Sequence, residues 1–125
     1  MIINKKMWKT VELPEETIDF TYYKKYTEEE MNILKKGRYP LEMTDRWFWY
    51  FEDNKLYMHR SWTGFCDYVV EFNIFNETHK VLVNNNQEQL KEMPIYQHRI
   101  IVETSIDWWL KNHVEPCYNM IKEEN

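Results

Sequence analysis

The chain has 125 residues, a formal net charge of −5 at pH 7, and 17% aromatic residues within a hydrophobic share of 43%. A chain of this length forms one domain around one core, and such an apolar content excludes a disordered chain. The acidic balance is unfavourable for nucleic-acid binding, which needs a basic surface. We therefore expect a single domain over residues 1–125 that binds no nucleic acid.

Membrane insertion and export are not expected either. The apolar runs are far shorter than the roughly 20 residues of a membrane helix. The first stretch, MIINKKMWKT, lacks the apolar core and cleavage site of a signal peptide. Cys66 and Cys117 are too few for a disulfide framework and fit a reducing compartment. We expect a cytoplasmic protein.

The first elements along the chain are a strand and a helix. TIDFTYYKKY carries alternating patches and predicts one strand, or two. TEEEMNILKKG then predicts the shorter, N-terminal helix. Thr27 can cap this helix and Glu30 completes a capping box, while Gly37 lies where a residue in the left-handed conformation ends a helix.

Strands and a second helix fill the rest of the chain. RWFWYF, LYMHRSW and FCDYVVEFNIF predict three antiparallel strands, and KVLVN a short fourth one. Asn86 with Gln89 can cap a short helix, and Pro94 opens a long helix from about 95 to 113, before Pro116. The predicted class is α+β: an antiparallel meander sheet of about four to five strands, one long helix packed on a face, and one shorter N-terminal helix.

Two possible tight turns predict the strand register. If Asp53-Asn54 and Thr63-Gly64 are two-residue turns, Glu52 faces Lys55 and Arg60 faces Asp67, two favourable pairs of opposite charge. The same register pairs Trp49 with Met58, Phe48 with His59, His59 with Tyr68, and Ser61 with Cys66. Thr-Gly is not the best two-residue turn, so a wider loop there is an alternative.

This register predicts that neither sheet face is polar. One face holds Trp47, Trp49, Phe51, Leu56, Met58, Arg60, Trp62, Phe65, Asp67 and Val69. The other holds Arg46, Phe48, Tyr50, Tyr57, His59, Ser61, Cys66, Tyr68, Val70 and Phe72. One face packs under the long helix through Ile100, Ile101, Ile106, Trp109 and Leu110.

The other face needs a cover, which is the N-terminal segment, a second subunit or a ligand. We place a ligand there because this face has more polar tips. An uncovered apolar face also predicts self-association, as a dimer or a higher oligomer, since soluble monomers rarely expose large apolar patches.

The stretch MTDRWFWYFEDNKLYMHRSWTGFCDYVVEF resembles an uncharacterised domain of bacterial and phage proteins, sometimes fused to ADP-ribosylglycohydrolase-type enzymes. The shared pattern is an acidic residue and a charged residue before "WF", an acidic hairpin turn and then "HRSWTG". The resemblance continues through VLVNNNQEQL and covers roughly residues 28–110. Residues that match the pattern are Arg46, Trp47, His59, Arg60, Ser61, Trp62, Thr63, Gly64 and Asn84. Asn85 stands where the pattern has arginine, and the catalytic acids of the fused enzymes have no counterpart here.

Together with Tyr57 and Tyr68 from the strand faces, these matching residues form the predicted ligand site. Each group also has a plain structural interpretation. Arg60 can simply pair with Asp67 and lie over Trp47, Trp62 and Trp47 can be core, and His59 a buried core histidine. Gly64 is typical of a turn.

Catalytic and metal sites are not predicted. Cys66 and His59 lack a third group that would activate a thiol, and His98 and His113 are too far apart on one helix to share an ion. We expect no catalytic residue, no metal and no cofactor.

Two classes of function fit the sequence best. One is a small-molecule binding protein, such as a phage-type sponge that sequesters an ADP-ribose-derived or cyclic nucleotide immune signal. Aromatic rings stack on bases and arginines hold phosphates. The other is a homo-oligomerising interaction module. A hydrolase of an ADP-ribose-type substrate ranks third.

Overall fold

The computed structural model describes residues 1–117, and residues 118–125 of the predicted domain lie outside that part. It has a five-stranded antiparallel sheet in the order β1-β5-β4-β3-β2 and two α-helices. In chain order the elements are a 3-10 turn (Lys5–Met7), β1 (Thr17–Tyr23), α1 (Glu28–Lys36), β2 (Trp47–Glu52), β3 (Lys55–Arg60), β4 (Cys66–Glu71), β5 (Thr78–Asn84) and α2 (Ile95–Asn112). The predicted α+β class is confirmed: β2 to β5 form a meander, and β1 extends the sheet by pairing with β5.

Helix α1 forms for the local reasons that its sequence predicts. The Thr27 hydroxyl accepts the Glu30 N–H at 3.0 Å, and the Glu30 carboxylate accepts the Thr27 N–H at 2.9 Å, which completes the capping box. Gly37 ends the helix with a positive φ of 82°, although its ψ of −176° is extended rather than left-handed helical. A Cβ at Gly37 would lie 2.7 Å from the Trp49 carbonyl oxygen, so the close approach of α1 to β2 also requires glycine.

The first hairpin has the predicted register. Asp53 and Asn54 both have positive φ, 52° and 62°, as a two-residue hairpin turn of the mirror-image type requires. Glu52 pairs with Lys55, and the predicted partners Trp49–Met58 and Phe48–His59 are also confirmed.

The second hairpin differs from the prediction. Strands β3 and β4 are joined by the loop 61–65, in which the Gly64 N–H donates to the Arg60 carbonyl and the Arg60 N–H to that of Phe65. The ladder pairs Met58 with Tyr68 but His59 with Cys66, which leaves Asp67 as the extra residue of a β-bulge. The predicted ladder pairs His59–Tyr68, Arg60–Asp67 and Ser61–Cys66 are therefore wrong, and the connection is the wider loop that was the alternative to a two-residue turn.

The bulge changes the faces of β4. Tyr68, Val70 and Phe72 lie in the main core with Trp49 and Met58, on the side of α2, and not on the opposite face as predicted. Because side chains alternate with a period of two, one extra residue is enough to move a whole strand's apolar set to the other face.

Helix α2 covers the main core. His98, Val102, Ile106 and Trp109 are its buried residues. Ile101 and Leu110 pack at the edge of that core, while Ile100, which we expected to be buried, is 55% exposed. Within residues 1–117, neither helix is long and apolar enough to span a membrane.

The other sheet face is covered by the N-terminal segment. Ile3, Tyr39, Phe48 and Tyr50 form a second buried cluster, against which Met7, Trp8 and Tyr57 pack. The three possible covers were the N-terminal segment, a second subunit and a ligand, and the structure shows the first of them. The prediction of self-association was based on an uncovered apolar sheet face, and in the structure this face is covered.

The segment between β5 and α2 holds a turn in place of the predicted short helix. Gln89 and Leu90 both donate their N–H groups to the Asn86 carbonyl at 2.9 Å, which closes one turn. The Asn86 side chain accepts the Glu88 N–H at 2.9 Å and caps that turn. The predicted cap at Asn86 is therefore present, but the segment makes only this one turn and does not continue as a helix.

Candidate functional site

The HRSWTG segment is anchored to the chain that precedes β2. The Ser61 hydroxyl donates to the Asp45 carbonyl at 2.5 Å, and the Ser61 N–H donates to the Arg46 carbonyl at 2.8 Å. The Trp62 indole N–H donates to the Met43 carbonyl at 2.8 Å. These bonds connect residues that are distant in sequence, so they hold the loop 61–65 in one position against the segment 41–46.

Thr63 and Gly64 have structural roles in this loop. The Thr63 hydroxyl accepts the Phe65 N–H at 3.2 Å. Gly64 has a φ of 80°, and a Cβ there would lie 2.5 Å from the Lys9 carbonyl oxygen. Its own carbonyl accepts the Val11 N–H at 2.9 Å, which fastens the N-terminal segment to the loop. The interpretation of Gly64 as a turn residue is confirmed.

Arg60 and Asp67 are neighbours despite the changed register. Arg60 Nε lies 3.4 Å from Asp67 Oδ2, and the Asp67 side chain is fully buried. Burial raises the pKa of Asp67 to about 6, because loss of hydration outweighs the attraction of Arg60 and Arg46. The predicted ion pair is confirmed, with its carboxylate beneath the surface and its guanidinium partly exposed.

Arg46 makes the cation–π contact that we expected of Arg60. Its guanidinium lies 4.9 Å from the centre of the Trp47 ring. No carboxylate within residues 1–117 comes within ion-pair distance of Arg46. Arg46 lies towards α2, and not on the opposite sheet face where the predicted register placed it.

Arg38 is a site residue that the sequence analysis missed. Its guanidinium lies 5.1 Å, 5.2 Å and 4.6 Å from the ring centres of Trp49, Trp108 and Trp109 respectively. Burial lowers the pKa of Arg38 to about 10, and Asp45 opposes that change. The group is a cation at neutral pH. Only the fold brings these tryptophans together, so no local pattern marks Arg38.

Two adjoining clefts, of about 420 Å³ and 460 Å³, share Thr44 and Arg46. We call them together the arginine cleft. One part is lined by Thr44, Arg46, Arg60, Trp62 and Thr63. The other is lined by Arg38, Thr44, Asp45, Arg46, Trp47, Thr104, Ser105 and Trp108. Three guanidinium groups and three indole rings thus line these two neighbouring clefts.

Trp62 also lines a third cleft, of about 360 Å³. The third cleft is lined by Trp8, Lys9, Pro40, Leu41, Glu42, Met43, Ser61 and Trp62. The Trp62 side chain is 65% exposed, and the interpretation of this residue as core is therefore wrong. Because its indole N–H donates to the Met43 carbonyl, the Trp62 ring is held in position while much of its surface is accessible.

The predicted site residues do not all line the same cleft. The arginine cleft brings together Arg46, Trp47, Arg60, Trp62 and Thr63. Tyr57, His59, Ser61, Gly64, Tyr68 and Asn84 do not line it.

The residues outside the arginine cleft are held by other contacts. Tyr68 is buried with its hydroxyl 2.8 Å from His98 Nδ1. The Asn84 side-chain amide donates to the Cys66 carbonyl at 2.9 Å. Tyr57 and His59 lie on the opposite sheet face, where both rings stack on Tyr50.

Neither a reactive Cys66 thiol nor a metal centre is seen in the described part of the chain. Cys66 is buried, and burial strongly raises the pKa of its thiol, so a nucleophilic thiolate is disfavoured. Residues 1–117 contain no group of three or more side chains that could hold a metal ion.

Comparisons with protein-family models, with curated proteins and with solved structures found no match to this chain.

Proposed function

We propose that the protein binds a small ligand that carries both phosphate and an aromatic base, of the ADP-ribose-derived or cyclic nucleotide class, in the arginine cleft. One observation carries this proposal. Arg38 and Arg46 line one part of the arginine cleft, and Arg46 and Arg60 line the adjoining part, in a chain whose net charge is −5. Of the three, only Arg60 has a carboxylate within ion-pair distance among residues 1–117. An acidic protein that gathers its arginines in this way presents a local site for an anion.

Different side chains of the arginine cleft suit different parts of such a ligand. Arg46 and Arg60 can each offer a planar pair of N–H donors to phosphate oxygens. The buried Arg38 adds positive charge that water screens only weakly. Trp62 offers an exposed ring for stacking of a base, which contributes about 1–3 kcal/mol.

Binding without turnover is the form of the function that the cleft chemistry favours. Asp45 is the one carboxylate among its described lining residues, and Asp45 Oδ2 already accepts the N–H groups of Leu41 and Glu42. Asp67 is buried beneath Arg60, and His59 lies on the opposite sheet face. A protein of this kind would sequester its ligand, as a phage-type sponge does with an immune signal.

Calorimetry tests the proposal with ADP-ribose, cyclic ADP-ribose isomers and cyclic dinucleotides. We expect one of these compounds to bind, and Arg46→Ala to weaken that binding about ten- to a hundredfold, the equivalent of about 1.5–3 kcal/mol for a lost charged hydrogen bond. Arg46 is the preferred position, since its side chain makes no ion pair within residues 1–117 whose loss would destabilise the fold.

Arg99→Ala is the matched control, because Arg99 is an exposed arginine on α2 that pairs with Glu103 and lines neither part of the arginine cleft. It should leave the affinity unchanged. Recovery of the ligand after denaturation separates a sponge, which returns it intact, from a hydrolase. Absence of binding by wild type to every compound, or an equal loss in both variants, would contradict the proposal.

A homo-oligomerising interaction module is the second candidate. Leu41, Met43 and Trp62 border the third cleft and are 50%, 77% and 65% exposed, so they form an apolar patch beside the arginine cleft. Such patches mark contact surfaces. Sedimentation of wild type and Met43→Ser separates the two functions: a mass above 15.7 kDa that falls in the variant favours the module.

A further inference from the structure

His59 holds an unused hydrogen-bond acceptor beneath the surface. Its Nδ1 lies 2.8 Å from the Gly64 carbonyl oxygen, which can only accept, so Nδ1 carries the hydrogen. Burial lowers the pKa of His59 and keeps the ring neutral. Nε2 is then a lone-pair acceptor, and it has no hydrogen-bond partner among the residues that the structure describes. The side chain is 1% exposed.

The His59 ring lines a cleft of about 440 Å³ between the N-terminal segment and the sheet, which we call the histidine cleft. Tyr50 and Trp8 line it as well. The Tyr50 ring stacks on His59 with centres 5.4 Å apart, and on Tyr57 with centres 4.6 Å apart. This stack fixes the plane of the imidazole, and with it the direction of Nε2. Flat rings of this kind favour a ligand with an apolar C–H face.

Among its described lining residues, the histidine cleft has a polar rim with more positive than negative charge. Lys5 and Lys6 line it with Thr10 and Glu12. No carboxylate of residues 1–117 lies within ion-pair distance of either lysine. Two cations opposed by one carboxylate suit a small anion rather than a polyanion.

We propose that the histidine cleft is a second binding site, which takes a hydroxylated anion: a sugar phosphate or a sugar acid. A ligand hydroxyl donates to His59 Nε2, the C–H face of the sugar ring lies against Trp8, and the phosphate or carboxylate reaches Lys5 and Lys6. Among residues 1–117, none that lines this cleft also lines the arginine cleft, so this site does not depend on the function proposed above.

NMR of the imidazole nitrogens gives the direct test, with glucose 6-phosphate and glucuronate as ligands. We expect the His59 Nε2 resonance to shift in a saturable way with at least one of the two, and the responding ligand identifies the class. Glucose lacks the charge and inorganic phosphate lacks the sugar ring, so both should bind about tenfold more weakly or worse. No saturable shift with either sugar anion, or equal binding of inorganic phosphate, overturns the proposal.

Two variants separate the contacts. In His59→Asn the amide nitrogen takes the place of Nδ1, so the bond to Gly64 is kept while the acceptor at Nε2 is lost. We expect this variant to lose the binding and to keep the Val11 amide resonance, which reports the same Gly64 carbonyl. Unchanged affinity in His59→Asn contradicts the proposal.

The double variant Lys5→Ala with Lys6→Ala changes only exposed side chains, so its fold is preserved. We expect it to weaken binding about tenfold or more. Arg46→Ala should have no effect here. A shift of the His59 resonance that is lost in Arg46→Ala would place the ligand in the arginine cleft and would overturn the second site, whereas failure of nucleotide binding alone leaves it intact.

Discussion

Burial acts with different consequences on Arg38 and on Asp67. Arg38 loses hydration, but three indole faces replace part of it, and a pKa of about 10 leaves the group charged at neutral pH. Asp67 has one ion-pair contact and no hydrogen bond to its carboxylate oxygens within residues 1–117. Its pKa therefore rises to about 6, from an ordinary value of 3.8. Ionisation of the buried Asp67 therefore lowers the stability of the fold, even with Arg60 beside it.

The pH dependence of unfolding reports this cost. An acid whose pKa is higher in the folded state stabilises the fold below its unfolded pKa and loses that contribution as pH rises through the folded value. For Asp67 the window runs from 3.8 to about 6. We expect Asp67→Asn to be more stable than wild type at pH 7.5, by up to about 3 kcal/mol for a shift of this size, and to lose that advantage near pH 4.

Melting temperatures of wild type and Asp67→Asn across that range check this expectation. Buried His59, His79 and His98 have lowered pKa values and affect both proteins alike, so only the difference between the two curves matters. An asparagine variant that melts below wild type at pH 7.5 would show that the pair with Arg60 outweighs the desolvation.

Local signals account for most of the elements, and tertiary contacts account for the errors. The capping box at Thr27 and the Asp53-Asn54 turn depend on neighbouring residues alone, so the sequence is enough to predict them. The loop 61–65 depends on bonds from Ser61 and Trp62 to a distant segment, which no local pattern reveals. For this reason the bulge at Asp67 was not predicted.

Gly64 is the position where that loop tolerates least change. A side chain there must adopt a φ of 80° and would place its Cβ 2.5 Å from a backbone oxygen of Lys9. The left-handed conformation costs about 1–2 kcal/mol for a residue with a Cβ, and the N-terminal segment must also move. We expect Gly64→Ala to lower the melting temperature by about 5 °C or more.

Thr63→Ala is the control for Gly64→Ala, since it changes an exposed neighbour that contributes one hydrogen bond within the loop. It should lower the melting temperature by less than Gly64→Ala does. Equal stability of wild type and Gly64→Ala would mean that Lys9 does not approach the loop so closely.

On the scale of the whole molecule, one sheet separates two clefts of different chemistry. Its α2 side carries the main core with the arginine cleft at the border, and its other side carries the smaller cluster with the histidine cleft. His59 and Arg60 are adjacent in β3 and so point to opposite faces. The HRSWTG segment, which the sequence analysis assigns to one ligand site, therefore supplies residues to both clefts.

The side-chain Nε–Hε resonances of arginine test the central proposal most directly, because the chain has only four arginines. Arg46 and Arg60 line the arginine cleft, whereas Arg99 on α2 lines neither of its parts. In titrations with ADP-ribose, its cyclic isomers and cyclic dinucleotides, we expect one ligand to shift the resonances of Arg46 and Arg60 in a saturable way and to leave Arg99 in place. Unchanged resonances with every ligand, or shifts at Arg99 equal to those of the cleft arginines, would contradict the proposal.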